Sequence, residues 1–141
     1  MSAPLTIRIL KAGDAALLDR VARGVFDNAI DKHWTSEFLA DPRHHMAVAI
    51  VDEQVVGMAS AVHYVHPDKP PELWVNEVGM APTHQRQGIG KRLLQALFVR
   101  GRELGCTEAW LGTEDGNTAA RRLYSAVGGK EELMVYVTFQ L

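Results

Sequence analysis

Cysteine, long apolar runs and an excess of either charge are the features that this sequence has least of. Cys106 is the one cysteine among 141 residues, so an internal disulfide is excluded and a reducing compartment is expected. No apolar run reaches the roughly 18 residues of a membrane-spanning helix. The first residues also lack the charged and apolar regions of a signal peptide. We therefore expect a cytoplasmic protein without a membrane partner.

The charge balance excludes a further class of partner. Fifteen Lys and Arg residues stand against seventeen Asp and Glu residues, a net charge of −2, so no basic excess favours nucleic-acid binding. Six histidines are present, but His63 and His66 fall on opposite faces of a predicted strand, and no cysteine pair accompanies them. We predict no metal site and interpret Cys106 as a packing residue.

Length and hydrophobic periodicity predict one domain, residues 1–141, of the mixed α/β class with helices on both faces of the sheet. A helix beginning near Gly13 is expected to carry Leu17, Leu18, Val21 and Val25 on one stripe. The predicted element order is β-α-α-β-β-β-α-β-α-β. Strands are predicted at residues 5–10, 46–51, 55–62, 107–113 and 133–141, with a central strand that starts at Leu73. Further helices are predicted near Thr35, from Ile89 to Gly105, and from Asn117 to Gly128.

The glycine-bearing loop after the central strand opens directly into a long amphipathic helix. Its apolar residues are expected on one stripe: Ile89, Leu93, Leu94, Leu97, Phe98, Gly101 and Leu104. Gly88 and Gly90 at its start allow a close approach of the backbone to a ligand. The first N–H groups of a helix have no internal partner and lie at the positive end of the dipole. This arrangement predicts an anion site, most naturally for phosphate.

Two common phosphate-binding loops do not fit. A Walker A loop requires glycine at Gln85 and serine or threonine at Arg92, and a dinucleotide fingerprint requires glycine at Leu93. A P-loop nucleotide hydrolase is therefore disfavoured.

The run Gln85–Gly90 instead resembles the Gln/Arg-x-x-Gly-x-Gly/Ala pyrophosphate loop of the GNAT (GCN5-related) N-acetyltransferases. Met80, Ala81 and Pro82 stand at that family's Val-x-Pro position. The resemblance implies the GNAT fold and acetyl-CoA as co-substrate, without a metal. It also implies a set of acetyl-CoA contacts: Val78, Met80, Gln85, Arg86, Gln87, Gly88, Ile89, Gly90, Lys91 and Asn117.

Acetyl transfer to an amine requires a group that accepts the amine proton, and a carboxylate on the central strand meets that requirement. Glu77 is the best candidate, either as the base or as an anchor for the amine. Strict alternation places it on the face of Val75 and Leu73, but Gly79 indicates a bulge or a close ligand approach that would re-aim it. The alternative is an ion-paired strand carboxylate without a catalytic role.

The segment from Asn117 to Gly129 resembles the family's Asn-x-x-Ala-x-x-Leu-Tyr-x-x-x-Gly pattern. By this resemblance Tyr124 is the acid that protonates the leaving thiolate, and Asn117 contacts the pantetheine region. The alternatives are a tyrosine that only packs and an asparagine that only caps its helix. A backbone N–H, most naturally that of Met80, would stabilise the oxyanion.

The sequence gives the least information about the amine that accepts the acetyl group. Within the family, the pattern is most similar to the small aminoglycoside 3-N-acetyltransferases, which implies a small-molecule amine acceptor and is compatible with a homodimer. Acidic side chains in the N-terminal third form either a site for a cationic acceptor or a solvated face: Asp27, Asp31, Glu37 and Asp41. Acetylation of a protein or peptide amine and a non-catalytic acyl-CoA-binding module are the alternative functions.

Overall fold

The computed structural model describes residues 3–141 and contains one five-stranded mixed sheet with strand order β1-β2-β3-β4-β5. The strands are β1 (Leu5–Ile9), β2 (His44–Val51), β3 (Gln54–Tyr64), β4 (Glu72–Met80) and β5 (Ala109–Trp110). The helices are α1 (Lys32–Ala40), α2 (Ile89–Glu103) and α3 (Thr118–Ala126), with short 3-10 turns at Ala15–Asp19 and Pro82–His84. Neighbouring strands are antiparallel except β4 and β5, which are parallel. The predicted mixed α/β class is confirmed.

The β2–β3 hairpin forms as predicted because its turn tolerates a left-handed backbone. Asp52 and Glu53 have φ angles of 49° and 62°, the signs that a two-residue type I′ turn requires. The centre of the hairpin is fully buried, with Ala47, Val48 and Ala59 at 0% exposure. Such continuous burial is typical of strands covered on both faces.

Helix α2 covers one face of the sheet, and its predicted stripe is confirmed. Ile89, Leu93, Leu94, Leu97 and Gly101 are its buried residues. A Cβ at Gly101 would lie 3.1 Å from Leu73 Cδ2, so the helix and β4 meet at this point. The helix ends at Glu103, and Gly105, just after the cap residue Leu104, has a φ of 87° that suits glycine. None of the helices among residues 3–141 is long and apolar enough to cross a bilayer.

The prediction of a helix carrying Val21 and Val25 was wrong. Helical structure stops with the 3-10 turn at Asp19, and Val21 then forms a parallel bridge with Val55. The Ala22 N–H donates to the Val55 carbonyl, and the Val55 N–H donates to the Arg20 carbonyl, each at 2.8 Å. These bonds use the backbone groups of Val55 at the start of β3, where pairing with β4 has not yet begun. If residues 20–22 were helical, the Val55 N–H and carbonyl would lose these partners.

The chain from Val21 onward then crosses the face of the sheet opposite α2. A Cβ at Gly79 would collide with the Val25 carbonyl oxygen. Glycine in β4 therefore admits the protein's own backbone, and the predicted close ligand approach at this residue was wrong. Val25 itself is buried, at 3% exposure.

Three further predictions differ from the structure in extent or kind. Helix α1 begins before Thr35, because Asp31 caps it by accepting the Trp34 N–H at 2.9 Å. Strand β5 spans only Ala109–Trp110 of the predicted residues 107–113. The predicted last strand, residues 133–141, is not formed, and residues 128–141 are all exposed. The predicted element order therefore differs from the observed one at its last element, because the final strand is absent.

The prediction about a signal peptide includes Met1 and Ser2, which lie outside the described residues.

A histidine pair is buried beneath the α2 face. His45 Nε2 and His63 Nδ1 are 2.8 Å apart, and His45 is 6% exposed. Burial, followed by the positive charge of His63, lowers the pKa of His45 from 6.5 to about 4. Burial also lowers the pKa of His63. His45 is therefore neutral in the folded protein at neutral pH.

We predict that Gly79→Ala lowers the free energy of unfolding by about 2–3 kcal/mol, because either Val25 or β4 must move to admit a methyl group. Urea denaturation at pH 7.5 measures the change. Gly13→Ala is the matched control, since nothing lies within 4 Å of a Cβ there and its φ is not left-handed. Equal stability of the two variants would contradict the crossing at Gly79.

We predict that stability falls as the pH drops from about 6.5 toward 4. In this window the unfolded chain binds a proton at His45 that the folded chain does not, which costs up to about 3 kcal/mol. His45→Gln should flatten the dependence of unfolding free energy on pH, whereas His33→Gln, on a largely exposed side chain, should not. Parallel curves for wild type and His45→Gln would show that this histidine does not carry the effect.

Candidate active site

The pairing between β4 and β5 is short, and we refer to the open edge of β4 beyond it as the cleft. The two strands pair only at Leu73–Ala109 and Trp74–Trp110, so β4 from Val75 onward has no strand beside it on the β5 side. On its other side β4 pairs with β3, and the Ala81 N–H donates to the Val56 carbonyl at 2.9 Å. Because N–H groups alternate in direction along an antiparallel strand, those of Met80 and Val78 face the cleft. These are the backbone donors predicted from the sequence.

A β-bulge in β4 sets the direction of Glu77. Val75 is opposite Ala61 and Glu77 is opposite Ser60, so Asn76 is the extra residue. The bulge reverses the alternation, which places Glu77 on the face opposite α2, away from Val75. A bulge that re-aims Glu77 was one of the two alternatives indicated by Gly79, and it is present. It lies at Asn76, however, three residues before Gly79. Glu77 is exposed and has no ion pair among the described residues.

The loop between β4 and α2 contains two residues with left-handed backbone. Arg86 has φ 62° and Gly88 has φ 75°, and Gly88 is the residue before the first turn of α2. The first helical bond runs from the Arg92 N–H to the Gly88 carbonyl at 3.3 Å. Preceding N–H groups therefore point out of the helix end, as an anion site requires. Three basic side chains are exposed beside it: Arg86, Lys91 and Arg92.

Helix α3 packs directly against this helix start. A Cβ at Gly90 would lie 3.0 Å from Leu123 Cδ2, so glycine at this position lets α3 approach. Tyr124 follows Leu123 and is half-buried, and burial raises the pKa of its hydroxyl. The phenol is therefore protonated at neutral pH and available as a donor. Tyr124 lies on α3 and Glu77 on β4.

Asn117 is the N-cap of α3, because its Oδ1 accepts the Ala120 N–H at 3.1 Å. Arg121 fixes the loop before the helix by donating to the Asp115 carbonyl at 2.8 Å. The other edge of its guanidinium binds both carboxylate oxygens of Glu131, at 2.8 and 3.3 Å. Arg121 was not singled out from the sequence, since a bidentate partner ten residues away leaves no local signal.

Most of the acidic side chains of the N-terminal third have local partners. Asp31 caps α1, Asp41 binds the Arg43 N–H at 2.9 Å, and Glu37 lies 4.0 Å from His33. Asp27 is exposed and makes no ion pair or side-chain hydrogen bond in residues 3–141. Of the four predicted carboxylates, Asp27 is therefore the one left available, two residues after the crossing at Gly79.

A cavity of about 670 Å³ lies elsewhere. It is lined by Phe38, His45, Met46 and Arg100, toward the end of α2 that is remote from Gly88. Between residues 3 and 141, no group of three or more His, Cys, Asp and Glu side chains is placed to hold a metal ion. Burial raises the pKa of the Cys106 thiol, which disfavours the thiolate.

Comparisons with known proteins match this architecture. The family model described as "Acetyltransferase (GNAT) family" matches residues 16–128. The N-alpha-acetyltransferase RimI of Mycobacterium tuberculosis is 31% identical over 131 residues, 89% of this chain and 78% of that protein. An L-2,4-diaminobutyric acid acetyltransferase of Nocardia farcinica is 28% identical over 124 residues, 86% of this chain and 62% of that protein. The chain spans about three fifths of the length of the first relatives that it matches.

Solved structures show the same fold. An aminoglycoside acetyltransferase from an uncultured soil metagenomic sample, in complex with sisomicin, aligns with a TM-score of 0.85 and 21% identity, over 97% of this chain and 96% of that one. The aminoglycoside acetyltransferase AAC(6')-Iy, bound to a CoA-containing bisubstrate analog, aligns with a TM-score of 0.80 and 21% identity, over 99% of this chain and 100% of that one. The predicted fold is confirmed.

We predict that Asn117→Ala lowers the free energy of unfolding by about 1 kcal/mol, because the Ala120 N–H loses its partner. Asn117→Asp keeps an acceptor oxygen at the cap and should retain most of the stability. Thermal denaturation of the three proteins measures this difference. If the alanine variant were as stable as wild type, the cap would contribute nothing.

Proposed function

Because the chain belongs to the GNAT acetyltransferase family, we propose that it transfers an acetyl group from acetyl-CoA directly to a primary amine of a small molecule. The observation that carries this proposal is the cleft between β4 and β5, with the Gly88 helix start beside it. Unpaired backbone donors line one wall of the cleft. An anion site follows them along the chain.

The helix start would hold the pyrophosphate of acetyl-CoA. The left-handed backbone at Arg86 and Gly88 turns successive N–H groups toward one point, which suits phosphate oxygens. The helix dipole adds a favourable field, and Lys91 and Arg92 supply charge. We assign the contacts implied by the family pattern to the loop and first turn, residues 85–91.

The exposed edge of β4 would hold the pantetheine arm. The N–H groups of Val78 and Met80 have no strand partner on that side, so an amide-containing ligand can complete the ladder. The Met80 N–H, nearest the loop, is then the donor for the oxyanion. Asn117 lies at the start of α3 and is a contact from the opposite side, in addition to its role as a cap.

Glu77 and Tyr124 would divide the proton transfers. The amine nitrogen forms a bond to the thioester carbonyl carbon, and Glu77 accepts the proton that the nitrogen loses. As the carbon–sulfur bond breaks, the thiolate takes a proton from the Tyr124 hydroxyl. The raised pKa of that hydroxyl keeps the proton in place until the thiolate forms. Solvent then restores both groups.

We propose an aminoglycoside as one acceptor class. Glu77 and Asp27 flank the crossing of Val25 over Gly79, and neither has a charged partner in the described residues, so a polycationic amine has two anionic contacts. An aminoglycoside N(6')-acetyltransferase of Salmonella typhimurium is among the relatives, so both 3-N and 6'-N sites are candidates. The similarity to RimI supports a peptide amine as the competing acceptor.

An acceptor panel with free thiol as the readout tests the function. The panel contains aminoglycosides, 2,4-diaminobutyrate and peptides with a free N-terminus, each with acetyl-CoA. Thiol release with an aminoglycoside and a mass increase of one acetyl group support the proposal. Release with peptides alone assigns the competing function. Acetyl-CoA binding without release from any acceptor would identify a non-catalytic binding module.

We predict that Glu77→Gln and Tyr124→Phe each lower kcat by about 100-fold while acetyl-CoA affinity stays near that of wild type. Neither residue belongs to the loop and first turn, residues 85–91, that we assign to the pyrophosphate, so we expect the two effects to separate. Glu72→Gln, on the same strand in an ion pair with Lys69, and Tyr64→Phe are the matched controls. Unchanged turnover in both test variants would refute the mechanism whatever the acceptor.

A further inference from the structure

The cavity lined by Phe38, His45, Met46 and Arg100 has no part in the proposed reaction, and we refer to it as the distal cavity. Its volume of about 670 Å³ is within the range of small-molecule sites, roughly 300–1,000 Å³. Arg100 follows Gly88 along α2, and at about 1.5 Å per residue the two are about 18 Å apart along the helix axis. The distal cavity and the proposed pyrophosphate site are therefore separate places on the molecule.

The walls of the distal cavity are mostly apolar and come from four parts of the chain. The residue after β1, helix α1, the start of β2 and the second half of α2 contribute the apolar side chains Leu10, Phe38, Leu39, Met46, Ala96 and Val99. Leu10 and Met46 are buried, at 9% and 7% exposure. An apolar group that enters the cavity therefore exchanges water for apolar contacts.

His45 gives this apolar cavity a polar atom that the protein itself does not use. Its Nε2 is 2.8 Å from His63 Nδ1, and its Nδ1 makes no hydrogen bond within residues 3–141. In that part of the chain, His66 Nε2 is the one unpartnered side-chain atom that is sealed from solvent, so solvent reaches His45 Nδ1. His45 lines the distal cavity, and we assign its Nδ1 to the cavity wall. When His63 Nδ1 donates to His45 Nε2, His45 Nδ1 carries a hydrogen and is a donor.

The guanidinium of Arg100 is near this imidazole. Burial, followed by the positive charges of His63 and Arg100, lowers the pKa of His45. Because salt screens charges that are more than about 10 Å apart, one small ligand can contact both Arg100 and His45. Arg100 donates to Glu103 Oε2 through Nη1 at 3.1 Å, and its Nε and Nη2 have no side-chain partner among the described residues. These nitrogens suit the oxygens of a carboxylate.

The other charged side chains of the distal cavity leave it positive. Lys11 lines it and makes no ion pair between residues 3 and 141. Of the two carboxylates in the lining, Asp41 accepts from the Arg43 N–H at 2.9 Å, and Glu103 is bound to Arg100. Each carboxylate is thus paired, and Lys11 is the charge that remains. The cavity therefore attracts an anion and repels a cation.

We propose that the distal cavity is a second binding site, for a small molecule that carries one carboxylate on an apolar chain or ring. The carboxylate accepts from Arg100 and from His45 Nδ1, and Lys11 adds a favourable charge. The apolar part of the ligand covers Phe38 and Met46. This site does not depend on acetyl transfer, so the acceptor panel and the experiments below test different statements.

The first test compares probes that share a chain length and differ in charge. Octanoate, octanol and octylamine are titrated into the full chain by calorimetry at neutral pH. Octanoate should bind about tenfold more tightly than either of the others, because it alone satisfies the donors. Decanoate, with two more methylene groups, should bind about tenfold more tightly than octanoate. Equal binding of the three probes, a preference for octylamine, or no octanoate binding at millimolar concentration would overturn the proposal.

The second test locates the bound carboxylate. Arg100→Gln should weaken octanoate binding about tenfold, because a charge-assisted hydrogen bond is lost. Arg102→Gln is the matched control, on an exposed arginine of the same helix that does not line the cavity. Octanoate should also shift the nitrogen resonances of the His45 imidazole. Equal affinities of the two variants, or unchanged His45 resonances at saturation, would show that octanoate binds elsewhere.

The third test separates the distal cavity from the acetyl-CoA site. A saturating concentration of CoA should change the affinity for octanoate by less than about twofold, since well-separated sites act independently. Displacement of octanoate by CoA would place the probe in the cleft and refute the second site. Circular dichroism of each variant verifies that it folds.

Discussion

The separation of β4 from β5 is the constraint on which the site depends. Two residue pairs hold the strands together, and no pairing follows past Trp74. A strand in the interior of a sheet has no free backbone groups, but here the Val78 and Met80 N–H groups of β4 have no strand partner. These donors are free to bond to a ligand in place of water, so the same irregularity that shortens the sheet makes β4 a binding surface.

The two faces of β4 acquire separate roles through one inserted residue. Before the bulge at Asn76, Leu73 and Val75 pack under α2, and after it Val78 and Met80 take that face. Glu77 and Gly79 are thereby turned to the side where the Val25 backbone crosses. A carboxylate held under α2 would have been buried without a partner, which is costly. The bulge avoids that cost and leaves Glu77 in solvent.

The sequence predicted the features of the fold that depend on interactions between residues close together in the chain. The β2–β3 turn, the stripe of α2, the Asn117 cap and the glycine stops each depend on neighbours within a few residues. The Val21–Val25 region depends instead on pairing with Val55, 34 residues after Val21, and the bulge at Asn76 depends on pairing with Ala61 and Ser60, 15 and 16 residues before it. Gly79 gave a signal, since glycine in a strand indicates close approach, but the sequence does not say of what. The candidate site residues were chosen by residue type and by family resemblance. The face of β4 on which Glu77 lies could not be chosen in that way.

The C-terminal segment is a further case in which a local sequence pattern does not determine the structure. Alternation at residues 133–141 predicts a strand, and that expectation rests on propensity alone. A strand exists only when another edge accepts its hydrogen bonds, and the sequence names no edge. Gly128 and the Arg121–Glu131 contact fix the turn that leads into this segment, and residues 130–141 make no backbone hydrogen bond with the rest of the described chain. Alternation thus states which side chains would share a face of a strand, whereas formation of the strand depends on a backbone edge that no property of the segment itself specifies.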